Sequence, residues 1–201
     1  MFPLRPPAFT RPAVRREGAR RRDDSCRPTA VASRIRRGAT VMKIAIISSV
    51  GGHLSEVLQL REVFGKYNHF YVLNAPRDLP LFMQGKTYFI THAERDWRHL
   101  WNLMEIVRIF RKERPDCLLS CGAGCAVPAL LVAKMMRIHR IYIETFCALY
   151  RPSLTGRIIH AFRLADELLY QWPYLGRFFP RGRFAGAVYD PCLGGHTDAA
   201  L

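Results

Sequence analysis

The chain has 201 residues, 49% of them apolar, which suffices for one ordinary α/β domain and a tail but not for two full Rossmann-like domains. Its formal charge of +15 is unevenly spread, because residues 1–41 carry eleven Arg and no Lys against only Glu17, Asp23 and Asp24. No apolar run approaches the roughly 18 residues that a membrane-spanning helix needs, so none is expected.

Residues 1–41 begin M-F-P-L-R-P-P-A-F-T-R-P-A-V-R-R and show no apolar periodicity. Such a leader buries too little surface to offset the entropy of ordering, so disorder is expected. It lacks the apolar h-region of a secretory signal. Its Arg bias has something of a transit peptide; alternatively, Met42 is the natural start and the leader is an over-extended reading frame. No aromatic residue is interleaved with the densest Arg segment, so no nucleic-acid partner is expected.

The ordered pattern starts at Lys43–Ser49, which reads as a buried parallel strand. Leu54–Phe64 follows as a helix, with Leu54, Val57, Leu58 and Phe64 on one stripe. His69–Leu73 is a second strand, closed by the turn-like Asn74-Ala75-Pro76-Arg77-Asp78, and Thr87–Thr91 a short third. Trp97–Arg111 is an amphipathic helix ended by Pro115. Cys117–Ser120 is a strand, Gly122-Ala123-Gly124 a loop, and Ala126–Met136 an apolar helix with Pro128 in its first turn. Arg140–Thr145, Leu154–Leu164 and Glu167–Gln171 read as strand, helix and strand. Phe184–Val188 is a final short strand, and Pro191–Leu201 a loose tail. Strands alternating with helices predict one Rossmann-like α/β domain over residues 42–190, its parallel sheet covered on both faces.

In such a sheet the binding crevice lies beyond the carboxyl ends of the strands. Three separate segments should converge there: Gly51-Gly52-His53, Gly122-Ala123-Gly124 and Glu144-Thr145. The first pattern is neither G-x-G-x-x-G nor G-x-x-x-x-G-K-[ST], and the second strand ends in Asn74-Ala75 without an acid for a ribose hydroxyl. A dinucleotide or ATP site is therefore not expected. Glycine lets a ligand approach the backbone. His53 has three open roles: general base, hydrogen-bond donor to a substrate, or helix cap. Glu144, at the end of a buried strand, is costly to bury without a partner. A sugar hydroxyl, a neighbouring residue and an ion pair with Arg151 are its alternatives.

Six Cys occur without any C-x-x-C pair. Cys117, Cys121 and Cys125 are spaced by four across a strand and a loop, with no second ligand pair at a metal-binding spacing. No metal is expected, and buried thiols in a reducing compartment are.

The motifs G-G-H-L-S-E, G-A-G-C-A-V-P, Y-I-E-T-F, P-S-L-T-G-R, A-D-E-L-L-Y-Q-W-P and F-A-G occur in this order. Together they resemble one family, the membrane-anchoring subunit of the two-part UDP-N-acetylglucosamine transferase of asparagine-linked glycosylation, with its bacterial relatives in capsule and exopolysaccharide synthesis. More distantly, the chain is similar to the N-terminal half of the peptidoglycan N-acetylglucosaminyltransferase. The resemblance covers about residues 42–190. It implies the N-terminal half of a GT-B glycosyltransferase, which binds a lipid-diphosphate-linked sugar acceptor and the membrane. A small catalytic subunit would complete the heterodimer and hold most of the UDP-sugar donor, with no permanently bound cofactor. By the resemblance Gly51, Gly52, Gly122, Gly124 and Thr145 bind substrate, and His53 and Glu144 are the catalytic candidates.

Eukaryotic members of that family carry an N-terminal spanning helix, where this chain has its Arg- and Pro-rich leader. Membrane contact is then expected to be peripheral, at the cytoplasmic face. Two stretches suit it: Trp97–Arg111, with two Trp and flanking Arg, and the aromatic-basic Tyr174–Arg181. The alternative for the first is a core-facing helix with a wide apolar stripe, and for the second a contact with the partner subunit.

Overall fold

The computed structural model describes residues 42–74, 80–91 and 99–189, except for the side chains of 99–101. The leader, Ala75–Asp78, Trp97, Arg98 and the tail Pro191–Leu201 lie outside the described residues. Seven strands appear in chain order: β1 (Lys43–Ser48), β2 (Asn68–Leu73), β3 (Thr87–Phe89), β4 (Cys117–Cys121), β5 (His139–Ile143), β6 (Glu167–Tyr170) and β7 (Arg183–Phe184). They form one sheet in the order β3-β2-β1-β4-β5-β6-β7, every pair parallel. The predicted Rossmann-like α/β architecture is thus the observed one.

A parallel sheet is covered on both faces, so its central strands read as continuous apolar runs rather than as alternation. Ile44, Ala45, Ile46 and Ile47 of β1 are all buried for this reason. Ala45 and Ile47 join Leu118, Ala129, Leu130 and Phe110 in one cluster. Ile44 and Ile46 face the opposite way and pack with Val57, Phe64, Tyr71 and Leu119 in a second. Helices α1 (Gly52–Leu58) and α2 (Arg61–Phe64) lie on the second face, while α3 (His99–Glu113), α4 (Ala126–Met135) and α5 (Leu154–Ala161) contribute to the first.

Two expectations are corrected, and for a third element one of the two alternatives is realised. The single helix over Leu54–Phe64 is broken, because the amides of Gln59 and Leu60 turn back to the carbonyls of Glu56 and Val57, three residues away. That tightening ends an α-helix. The final strand is shortened to Arg183–Phe184, since the Val188 amide leaves the ladder to bond the Gln171 side chain at 2.8 Å. In α3, Ile106, Ile109 and Phe110 are buried in the core and Arg108, Arg111 and Lys112 are exposed, so over residues 102–113 the core-facing reading is the one realised. Among the described residues, no helix is long and apolar enough to cross a membrane.

Ile46 is wholly buried in the cluster beneath α1. Ile46→Ala is expected to lower unfolding free energy by about 3 kcal/mol, from lost transfer energy plus a residual cavity. Urea denaturation checks this as a lower midpoint with an unchanged m-value.

Candidate functional site

Because all strands run the same way, their carboxyl ends share one edge, and β1, β4, β5 and β6 are successive neighbours along it. The loops that follow these four strands therefore meet, although they are separated by as many as 115 residues between hydrogen-bonded partners.

The first loop is anchored at both ends. The Val50 amide donates to Asn74 Oδ1 at 3.1 Å, so the residue that follows β2 caps this turn. The Ser55 amide closes the first turn of α1 on the Gly51 carbonyl at 3.0 Å. His53, in that turn, lays its imidazole against the backbone of Gly122 in the β4–α4 loop. Gly122 has φ +61, and a Cβ built there would overlap the His53 ring. Only glycine satisfies both the left-handed backbone and this close approach. The Gly122 amide also donates to Ile143 O at 3.1 Å, tying the loop to β5. Gly52 and Gly124 face open space.

Beneath His53 sits Glu56, one helical turn on and 3% exposed. His53 Nδ1 is 3.7 Å from Glu56 Oε2, an ion-pair separation too long for a hydrogen bond, and that nitrogen is otherwise buried without a partner. Thr145 Oγ1 donates to Glu56 Oε2 at 3.1 Å. The Phe146 amide and Gln171 Nε2 both donate to Glu56 Oε1. Gln171 also donates to the Glu144 carbonyl at 3.0 Å and accepts from Val188 with its oxygen. One carboxylate thus gathers α1, the end of β5 and the end of β6. Burial alone would push the Glu56 pKa up, but His53, Cys121, the Phe146 amide and Gln171 together hold it below its ordinary value.

Glu144 has the opposite character. It is wholly buried. Its Oε1 accepts from the Thr145 amide at 2.9 Å, while Oε2 has no hydrogen-bond partner and lies against Gly156 of α5, where a Cβ would overlap it. Desolvation raises its pKa, countered by Ser153 and the Thr145 amide and reinforced by the charge of Glu56. The side chain that was expected to line the cleft is therefore sealed under α5. No ion pair joins it to Arg151 among the described residues. Of the predicted residues, Gly51, His53, Gly122 and Thr145 come together around Glu56, Gly52 and Gly124 border the opening, and Glu144 stands behind. An aromatic wall flanks them: Trp172 Nε1 donates to Phe146 O at 2.7 Å, and the Phe146 ring lies 5.0 Å from Trp172 and 5.2 Å from Tyr189.

Cys117, Cys121 and Cys125 are buried thiols, as expected. Desolvation pushes Cys117 and Cys125 up to about 12, and Cys121 higher still. Among the described residues no group of three or more His, Cys, Asp or Glu is placed to hold a metal ion.

The sequence reading missed Glu56, Gln171 and Gly156. Glu56 carried a usable signal, since it stands three residues after His53 and beside the buried Val57, on the inward side of α1. Gln171 carried only its place in the A-D-E-L-L-Y-Q-W-P motif.

A family model described as oligosaccharide biosynthesis protein Alg14 like matches residues 87–188. The chain is similar to the UDP-N-acetylglucosamine transferase subunit ALG14 of Homo sapiens, 22% identical over 181 residues, covering 73% of this chain and 83% of that protein. The Rattus norvegicus protein of the same name is 23% identical, covering 72% and 82%. Among solved structures, Acinetobacter baumannii MurG superposes with a TM-score of 0.56 at 15% identity, over 67% of this chain and 42% of that one. The UDP-GlcNAc 2-epimerase of Methanocaldococcus jannaschii gives 0.57 at 17% identity, over 70% and 43%. The chain spans about two fifths of the length of these two structures. They bear out the fold, one lobe of the GT-B kind.

Two measurements probe the buried network. Gln171→Leu leaves acceptors of Glu56 and Glu144 unpaired and is expected to cost about 2–3 kcal/mol of stability, read by chemical denaturation. Glu56 has a lowered native pKa, so its contribution is complete above the ordinary carboxyl value of 4.5 and is lost as pH falls through the native value. Between 4.5 and that lower native value, acid titration of unfolding free energy is expected to be shallower in Glu56→Gln than in the parent.

Proposed function

The chain belongs to the Alg14-like family of oligosaccharide biosynthesis proteins, and from that membership we propose that it is the acceptor-side subunit of a split glycosyltransferase. It docks peripherally at the cytoplasmic face of a membrane. There it presents a lipid-diphosphate-linked sugar to a small catalytic subunit that holds most of the UDP-sugar donor. The observation that carries this reading is the match across residues 87–188, which includes both the Gly122–Gly124 loop and the Glu144-Thr145 strand end. The curated relatives' own designation as transferase subunits supports a partner.

The reaction proceeds by attack of an acceptor hydroxyl oxygen on the anomeric carbon of the donor, from the face opposite UDP. The new glycosidic bond forms as the bond to the UDP oxygen breaks, that oxygen leaves with the electron pair, and the configuration inverts. The hydroxyl proton passes to His53 or to another cleft group. His53 suits this task because its side chain stays 34% exposed although Nδ1 is turned inward to Glu56 and Cε1 lies against Gly122. An ionised Glu56 fixes the ring's orientation, as a positioned carboxylate does for a catalytic imidazole. Glu144, buried behind α5, acts in this scheme as a positioning residue for Thr145 and the β5 end rather than as a proton carrier.

A second reading draws on the burial of Glu144 and of His53 Nδ1: a non-catalytic scaffold that anchors and activates its partner. The purified partner alone separates the two, since full activity on a soluble acceptor would favour the scaffold. In the reconstituted pair, His53→Ala is expected to lower kcat by about 10²–10⁴, the range of a general base, while co-purification of the two chains is unchanged. Equal loss of turnover and of complex would make His53 structural.

A further inference from the structure

Behind α5, on the side away from Glu56, lies a cavity of about 830 Å³ lined by Arg151, Pro152, Arg157, His160, Arg177, Phe178 and Phe179. It is separate from the His53–Glu56 network but adjoins it. Phe179, on its wall, packs against the same Gly156 that covers Glu144 Oε2. Three guanidinium groups face one space from three segments: the β5–α5 loop, α5, and the short 3-10 turn Pro173–Arg177. None has a carboxylate partner among the described residues. Arg177 is steadied by the Tyr150 carbonyl at 3.4 Å and by the Phe178 ring at 4.8 Å. The pKa of His160 is held below its ordinary value by burial and by the charge of Arg181.

Cations that line one cavity repel one another, and an anion relieves that repulsion. Guanidinium is the side chain best matched to phosphate oxygens. The surface beside the cavity is apolar: Tyr150, next to Arg151 in the chain, Leu154 and Tyr174 are 64%, 61% and 62% exposed, and the Tyr150 and Tyr174 rings lie 5.7 Å apart, tilted by 50°. A free phosphate makes no use of it, whereas aromatic side chains beside Arg are the composition of a surface seated at the headgroup level of a bilayer.

We propose that the Arg151–Arg157–Arg177 cavity is a binding site for the phosphate head of an anionic membrane lipid, with Tyr150, Leu154 and Tyr174 inserted at the interface. This deepens the membrane-docking part of the proposed function and rests on it. It assigns docking to the carboxyl end of the sheet, next to the cleft, so that a lipid-borne acceptor is delivered beside His53.

The test uses the full chain with phosphatidylcholine vesicles, with and without phosphatidic acid. Phosphatidic acid vesicles are expected to slow amide hydrogen exchange in residues 149–160 and 174–179 by roughly tenfold. R151Q/R157Q/R177Q is expected to weaken vesicle binding on the order of one hundredfold, each arginine contributing about fivefold near an anionic surface. R114N/R137N/R163N removes equal charge from the opposite edge of the sheet and is expected to retain binding. The proposal is overturned if both triple variants lose binding equally, or if protection falls outside those two segments. It is likewise overturned if free pyrophosphate protects them as well as vesicles do, or if the first variant loses partner capture but keeps vesicle binding. The hydrogen-exchange arm needs no variant, so a folding defect in the triple substitution leaves the test intact. Transfer by the reconstituted pair to a short-chain soluble acceptor reads the transferase proposal separately.

Discussion

A buried carboxylate on a short helix organises the working edge of this molecule. Glu56 is 3% exposed, yet its two oxygens accept from the Thr145 hydroxyl, the Phe146 amide and the Gln171 amide, with His53 alongside. Burying an ionised group carries a desolvation penalty of several kcal/mol, and attraction offsets it only when the remaining lone pairs are satisfied. Here they are, by donors from the ends of two strands, β5 and β6. The loops concerned turn polar or glycine positions towards one another, Gly51 and Gly52 in one, Thr145 in the next, Gln171 in the third, with Phe146 and Trp172 in contact beside them. The polar hub and that aromatic contact together fix these loops.

The hub imposes an asymmetry on its surroundings. A full negative charge at Glu56 raises the cost of a second one nearby, and Glu144, Cys121 and Tyr142 are each pushed towards their neutral forms, by burial first and by Glu56 in addition. Two carboxyl groups that enter the same edge of the sheet thus diverge in character because their environments differ. Glu56 has converging donors, whereas Glu144 has an orphaned oxygen pressed against Gly156. Gly156 is required at that point because α5 passes so close that no side chain fits between.

The strands were legible in the sequence because a parallel strand buried on both faces leaves an unbroken apolar run, as in Lys43–Ser48 and Cys117–Cys121. The convergence of the Gly-Gly-His turn with the Gly122 loop was legible for a topological reason, since loops after neighbouring parallel strands must share an edge. What failed was local. Leu54–Phe64 kept its apolar stripe across a break made by backbone bonds that no side-chain pattern encodes. Val188 left the last strand for a side chain seventeen positions earlier. The role of Gln171 was illegible because it comes from groups that chain folding brings to it, and Glu144 read as lining the cleft because strand patterns do not reveal which helix will cover a strand end.

The distribution of charge around this edge constrains what the lobe contributes to transfer. A departing nucleoside diphosphate needs its developing negative charge stabilised at close range. The ring of His53 lies over a buried anion, and the interior behind it holds two carboxyl groups. The cluster of guanidinium groups sits beyond α5, with Phe179 and Gly156 between it and Glu144. An anionic leaving group placed against Glu56 would meet repulsion, whereas a neutral hydroxyl that must lose a proton would not. The electrostatics of the His53 site therefore agree with the acceptor-side role proposed for it, and on that proposal the cations that steady the departing diphosphate come from the partner.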